Sequence, residues 1–442
     1  MLLHHEPIIR VGILINDEIE FQLKGNFRVN GQLIPEGNYN AIEHNKLIQT
    51  NFAKLPFLEL IPEDKAATFT LRKVKIGIGF HWEQFEDQEF EGGLILQMEE
   101  GKIRAVNSVP LESYLKSVIS SEMSAMNDLT LLKVHAIVSR SWLLAQIQKK
   151  SDCKSTTDWH ASSKASAHNE GTVEEIIKWY DREDHESFDV CADDHCQRYQ
   201  GISKVISENA KQAVDETCGQ VITYENEICD ARFSKCCGGI TEDFENVWQA
   251  VSLNYLTAVR DFDEDNLEVN QSYFTSAPKA WCNTSDPKVL QQVLVDFDRK
   301  TNDFYRWRVD YTQQQLSELI HKKSGIDFGQ IVNLIPLKRG KSGRIIKLKI
   351  VGSKKEIIIG KELEIRKWLS ESHLYSSAFI VKKHYKNDEL IPSLFIFLGA
   401  GWGHGVGMCQ IGAAVMSKEG YKLDEILSHY FSGTAIEKRY SK

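Results

Sequence analysis

Through the first hundred residues apolar and polar positions alternate over short stretches. Segments at 8–15, 68–78 and 94–98 are apolar or alternating, and Asn30-Gly31 and Gly37-Asn38 between them are turn dipeptides. This pattern predicts strands joined by tight turns. At Pro110 the period lengthens. Leu111, Tyr114, Leu115, Val118 and Ile119 recur at spacings of three and four, the signature of one helix face, and Pro110 suits a first helical turn. A second helix is expected over 129–148, carrying Leu132, Ala136, Ile137, Arg140, Leu143, Leu144 and Ile147, after a break at 121–128 that supplies capping residues.

Residues 150–190 are polar and loop-rich, with a short helix expected over 173–180. A helix follows at 207–217, then strands at 221–224 and 228–233 joined through Glu225-Asn226. A helix near 313–323 and strands at 331–335 and 344–351 read as an inserted piece, with Pro336 closing the first strand because it has no N–H for a ladder. The last stretch predicts a strand at 394–398, a glycine-rich turn and helices at about 408–418 and 423–430. The expected fold class is α+β. A β-rich N-terminal domain (1–105) precedes a mixed α/β catalytic domain (106–260 and 351–442) that is interrupted by an inserted subdomain (261–350).

Composition narrows the function classes. A net charge of -9 with no basic run argues against nucleic acid as a partner, since phosphate neutralisation needs clustered Lys and Arg. The first twenty residues lack a basic stretch followed by an unbroken apolar core, so they do not read as an export signal, and the chain reads as cytoplasmic as written. The longest uncharged stretch, 390–416, holds Pro392, six glycines and His404, and would not form a stable transmembrane segment. Nine cysteines, odd in number and widely spread, do not form the pattern of a small disulfide scaffold; most are expected to be free and buried.

Four constellations could carry chemistry. Glu122 falls at the end of a predicted helix, where the negative end of the dipole and partial burial both favour a protonated carboxyl, as a general acid requires; a solvated loop carboxylate is the plain alternative. His185, Cys191 and Cys196 offer an imidazole and two thiolates at short spacing, suited to Zn2+, with His195 or water as a fourth ligand and the role, structural or catalytic, open. In Gly401-Trp402-Gly403-His404-Gly405-Val406-Gly407 alternating glycines could bring backbone close to a ligand, with Trp402 for stacking on a sugar and His404 for hydrogen bonding; a purely structural turn fits equally. Ser234-Lys235-Cys236-Cys237-Gly238-Gly239 places a thiol before two glycines, either a nucleophile with His404 as its base or a buried Cys at a tight turn.

These pieces, in this order, resemble the stage II sporulation protein D family, which includes the amidase-enhancer proteins. The resemblance lies in VPLESYLKSVISSEM, ARFSKCCGGITEDFENVW, SGRIIKLKIVG, EIRKWL and GWGHGVGMCQIGA followed by HYFSGT, and spans roughly residues 105–260 and 330–442. It implies a lytic transglycosylase that cleaves the MurNAc-GlcNAc glycan strands of peptidoglycan after stem peptides are removed, working outside the cytoplasmic membrane. It puts Glu122 in the acid/base role, and makes His185, Cys191 and Cys196 zinc ligands. Arg140 and His404 fall on the family's arginine and Gly-His-Gly turn, so Arg140, Ser234, Trp402, His404 and Gly405 are candidates for substrate binding. His135 and Trp142 stand where the family more often has Gln and a Tyr-like residue. Two other readings stay open: a non-catalytic wall-binding module that activates a partner amidase, and a zinc-dependent peptidoglycan amidase.

Overall fold

A computed structural model describes residues 5–77, 83–123, 128–155, 174–179, 185–193, 195–204, 207–263, 268–294, 303–386 and 389–441, with the side chains of 151–155 excepted. The fold is mixed α+β. It divides into two compact units, one formed by 1–140, 182–221 and 437–442, the other by 141–181 and 222–436.

The first unit is built on two sheets. In one, the strands Val190–Cys191, Ile8–Asn16, Lys102–Pro110, Gly93–Glu99, Phe57–Pro62, Phe27–Val29 and Gln32–Ile34 lie side by side in that order; the other holds six strands, among them Glu18–Lys24 and Thr68–Ile76. The alternation expected from the sequence appears residue by residue. In Glu18–Lys24, Ile19, Phe21 and Leu23 are buried while Glu18, Glu20 and Lys24 face outward. Each such apolar side chain removed from water contributes about 1.5–3 kcal/mol. Helix α1 (Leu111–Glu122) leaves the end of the strand Lys102–Pro110 directly, and Pro110 stands just before its first turn with extended backbone. Its buried positions Tyr114, Leu115, Val118 and Ile119 are those of the predicted face. Helix α2 (Leu129–Ser155) outruns the expected 129–148; residues 124–127 of the predicted break lie outside the described residues. Helix α3 (Glu208–Glu216) is capped by Ser207, whose side chain accepts from the Ala210 N–H.

The second unit holds a four-stranded sheet ordered Glu174–Ile177, Glu356–Gly360, Ile345–Gly352, Ile331–Arg339, and a three-stranded sheet ordered Arg306–Thr312, Leu394–Ala400, Phe379–His384. The helices Gln313–Ser324 and Glu362–Trp368 contribute to their shared core, in which Trp307, Leu316, Ile320, Leu348, Ile359, Trp368 and Phe397 are buried. Thr312 opens the first of these helices with a capping box to Gln315, and Gly325 closes it at a φ of 72°.

Two local expectations are corrected here. The segment expected as a helix at 173–180 is a strand where it is described: Glu174–Ile177 pairs in parallel with Glu356–Gly360. Two adjacent β-branched residues, Ile176 and Ile177, suit a ladder whose partner lies far along the chain. Pro336 does not end its strand, because Ile331–Arg339 continues through it with a register shift between Pro336 and Lys338. The strand lies at the sheet edge, where a missing N–H is tolerated. The Glu225-Asn226 turn forms as expected, with both residues at positive φ and Thr223 opposite Ile228.

Candidate functional site

Glu122 is the last residue of α1, at the negative end of its dipole, and is half-buried. Its Oε1 accepts the backbone N–H of Arg198 at 3.0 Å. That hydrogen bond is the end of a longer seam. The segment after Cys196 runs along one face of α1 and is fastened to it at successive turns. The Tyr114 hydroxyl donates to Gln197 Oε1 at 3.2 Å, and Tyr114 stacks on Tyr199 with ring centres 5.0 Å apart. The Ser117 hydroxyl donates to the Gly201 carbonyl at 2.8 Å and accepts the Gln200 N–H at 3.2 Å. Tyr199 in turn donates to the buried Asn107 at 2.6 Å. Positions 114, 117 and 122 of the helix therefore hold the same stretch of chain, and the carboxylate is oriented by it.

That stretch begins at a cluster of four potential ligands. His185, Cys191, His195 and Cys196 place one donor atom each within 4.8 Å of all the others. Cys196 Sγ lies 3.6 Å from His185 Nε2 and 3.6 Å from His195 Nδ1, and Cys191 Sγ lies 3.9 Å from His195 Nδ1. A tetrahedral ion with bonds of about 2.3 Å to sulfur and 2.0–2.1 Å to nitrogen would separate S and N by roughly 3.5 Å, so the donors fit one ion. The Cys191 thiol is held far below its usual value, first by its hydrogen bond to Cys196 and then by His185 and His195, against the opposing effect of burial. The strand pairing of Val190–Cys191 against Val11 and Gly12 fixes Cys191. Phe188 stacks on His185 at 4.4 Å, and Gly12 makes room for it: a Cβ there would meet the Phe188 ring at 2.7 Å.

Arg140 is enclosed in the first unit. Its Nε and Nη2 donate to the two oxygens of Glu112 at 3.0 and 2.6 Å, and Nη1 donates to the Gln220 carbonyl at 3.1 Å. Glu112 also accepts from the Gly219 N–H and the Tyr440 hydroxyl. Both charged side chains are at most 2% exposed. Arg140, which the resemblance makes a candidate for substrate binding, thus balances a buried carboxylate.

The glycine turn lies in the second unit. Gly401, Gly403, Gly405 and Gly407 all have positive φ, between 73° and 93°. Arg344 explains Gly405, where a Cβ would stand 2.3 Å from its guanidinium carbon. Buried Arg344 donates to the Gly403 carbonyl at 3.0 Å, the Cys237 carbonyl at 3.2 Å and Ser342 Oγ at 3.0 Å, and Ser342 donates to buried Glu242 at 2.6 Å. Sequence reading missed this Arg–Ser–Glu chain. The resemblance had marked the segment around Arg344, but nothing in it pointed to the turn as its partner.

His404 Nδ1 accepts the Val406 N–H at 3.0 Å, and the ring also bonds the Phe233 backbone. Burial, then Arg232, Arg344 and Arg366, push its pKa down to about 3. A neutral imidazole whose nitrogens are both engaged braces the turn. It is poorly placed to be the base for a Cys237 nucleophile. Trp402 is half-buried, with one face stacked on Phe304 at 4.7 Å and Tyr375 at its edge. The Ser234 hydroxyl is buried beside Gly403 and has no protein partner among the described residues.

Comparisons with known proteins add to this geometry. Residues 99–224 match a family described as "Stage II sporulation protein", and residues 242–407 match a "Domain of unknown function (DUF8618)". The chain is 26% identical over 348 residues to an uncharacterized protein of Brachyspira hyodysenteriae, covering 79% of this chain and 72% of that one. It is 24% identical over 338 residues to Stage II sporulation protein D of Bacillus subtilis, covering 75% and 76%. It is 25% identical over 244 residues to the Amidase enhancer of the same organism, covering 52% of this chain and 33% of that protein. Among the described residues no helix is long and apolar enough to cross a membrane.

Proposed function

Because this chain belongs to the stage II sporulation protein D and amidase-enhancer family, we propose that it is a peptidoglycan lytic transglycosylase. It cleaves MurNAc-GlcNAc strands, stripped of stem peptides, with Glu122 as both acid and base. The observation that carries this reading is the placement of Glu122: half-buried at the C-terminal end of α1, one carboxylate oxygen fixed by the Arg198 N–H.

One residue suffices for the chemistry. Protonated Glu122 gives its proton to the oxygen joining MurNAc C1 to the next GlcNAc, and the C1–O bond breaks. The resulting carboxylate takes the proton of the muramic 6-hydroxyl as that oxygen bonds to C1. A 1,6-anhydro sugar and a free 4-hydroxyl are formed, no water is consumed, and Glu122 ends protonated for the next turnover. Hydrolases of the two-carboxylate type need a further Asp or Glu for water or covalent attack.

His185, Cys191, His195 and Cys196 would hold a zinc ion. With four protein donors the site is closed, so the ion would supply a rigid cross-link rather than a Lewis acid. That cross-link would fix the start of the segment that holds Glu122. This closure disfavours a zinc-dependent amidase. The buried Ser234 hydroxyl, which has no protein partner among the described residues, is the group of the glycine-turn region best suited to meet a sugar hydroxyl.

The test is mass spectrometry of glycan products from the wild type and Glu122→Gln, offered strands with and without stem peptides. Anhydromuramic ends from the wild type, with the rate lowered about 10²–10⁴-fold by the substitution, are expected. The similarity to the Amidase enhancer favours one other reading, a glycan-binding activator. No cleavage of either strand, with glycan binding and amidase stimulation unchanged by Glu122→Gln, would establish that reading instead.

A further inference from the structure

The second unit gathers a set of sulfur ligands that the proposed transglycosylase chemistry does not use. Cys237 follows the strand Phe233–Ser234, Cys282 lies at a turn, and Cys409 ends the short strand Met408–Cys409 and caps the helix Gln410–Lys418. These three thiols and the Asp261 carboxylate place one donor atom each within 4.8 Å of all the others, and each of the four residues is at most 1% exposed. Cys237 Sγ and Cys282 Sγ are 3.6 Å apart.

That distance discriminates among chemistries. A disulfide needs about 2.05 Å. Two thiolates on one tetrahedral ion, each bonded at about 2.3 Å, stand about 3.8 Å apart. With all four donor atoms within 4.8 Å of one another, the group has room for a single ion but not for a cluster with bridging sulfides.

The surroundings are those of ligands rather than of inert thiols. Cys409 Sγ accepts the N–H groups of Cys237 at 3.2 Å and Gly412 at 3.5 Å, and Cys237 Sγ accepts the Gly239 N–H at 3.4 Å. Backbone N–H groups aimed at sulfur stabilise thiolates, and Cys409 also sits at the positive end of its helix. Both oxygens of Asp261 are oriented, Oδ2 by the Cys282 N–H at 2.9 Å and Oδ1 by the Tyr430 hydroxyl at 2.6 Å, as outer partners orient a ligating carboxylate. Glycine is required where the helix approaches this group, because a Cβ on Gly412 would stand 2.4 Å from Asp261 Oδ1. An ionised carboxylate at full burial is costly without a compensating positive charge.

We propose that Cys237, Cys282, Cys409 and Asp261 form a second metal site, a buried mononuclear tetrahedral centre for zinc, independent of the His185–Cys196 cluster. It ties together the stretches of chain around residues 237, 261, 282 and 409. Cys236, next to Cys237 and equally buried, is the alternative fourth ligand if Asp261 stays in the outer shell.

The test loads the full chain, purified under reductant, with zinc alone and counts metal by elemental analysis. Two ions per chain are expected in the wild type, and one in each of the variants Cys191→Ser/Cys196→Ser and Cys282→Ser/Cys409→Ser. In Cys191→Ser/Cys196→Ser the X-ray absorption of the remaining zinc should show a sulfur-dominated shell near about 2.3 Å. No zinc on that variant while its circular dichroism is native, or a shell of nitrogen and oxygen only, overturns the proposal. So does a Cys237–Cys282 disulfide in peptide maps of reductant-purified protein. If Cys282→Ser/Cys409→Ser does not fold, the absorption spectrum of the other variant decides. If Cys191→Ser/Cys196→Ser does not fold, a wild-type count of one rather than two overturns the proposal.

Discussion

The two ligand clusters are opposites in how the chain makes them. His185 and Cys196 are 11 residues apart, their cluster is partly exposed, and a single strand pairing positions it. Cys237 and Cys409 are 172 residues apart, and their cluster is sealed in a core. Loop-closure entropy grows with the logarithm of loop length, so a clip across the longer loop restricts the unfolded chain by about 2 kcal/mol more than one across the shorter. With zinc bound as proposed, the short cluster would order a local segment beside Glu122. The long one would help hold its whole unit together. Similar donor chemistry would then serve positioning in one case and stability in the other.

The contrast can be broken most directly with a chelator. Zinc on the His185–Cys196 cluster should exchange at least about 100-fold faster than zinc in the buried centre, the factor implied by an opening cost of about 3 kcal/mol; equal rates, followed with a colorimetric chelator, would erase the distinction. Next in size is Arg140→Ala. It leaves Glu112 buried without its counter-charge and should destabilise the first unit by about 3–5 kcal/mol in denaturant unfolding, while zinc at Cys282 and Cys409 is retained. Gly405→Ala tests the second unit alone. Positive φ and the guanidinium of Arg344 together should cost about 1–3 kcal/mol or more, read from the same unfolding curves.

The smallest effect is a pH dependence. His404 has a folded pKa of about 3, below its unfolded value of about 6.5, so the unfolded chain takes up the proton first as pH falls. Stability from this group is full above about pH 7 and declines between about pH 6.5 and 3. From pH 7 to 6 the loss is about 0.7 kcal/mol, and it should vanish in His404→Gln.

What could be read from the sequence follows the same division. Helix α1 with Glu122 at its end, the Glu225-Asn226 turn and the His185–Cys196 spacing are all encoded within a dozen residues, and each was legible. Cys237 was read by itself, as a nucleophile or a buried turn thiol, and Cys282 and Cys409 as scattered thiols, because no short pattern links residues 45 and 172 positions apart. The strand Glu174–Ile177 was mistaken for a helix because its ladder partner among the described residues begins at Glu356. The pairing of Arg140 with Glu112, 28 positions earlier, was not legible, because the resemblance offered Arg140 only as a candidate for substrate binding. Arg344 escaped notice as the support of the glycine turn because charge patterning does not reveal which buried carbonyls an arginine will reach.

The hydrogen bond from Tyr440 to Glu112 spans 328 residues and joins two parts of the same unit. A ribosome releases the start of a chain long before its later residues. The strands and helix that surround Glu112 are therefore translated while one of its partners has not yet been made. The buried charge network of the first unit is complete only after residue 440 has emerged. Until then the Arg140–Glu112 pair lacks the hydroxyl that Tyr440 supplies.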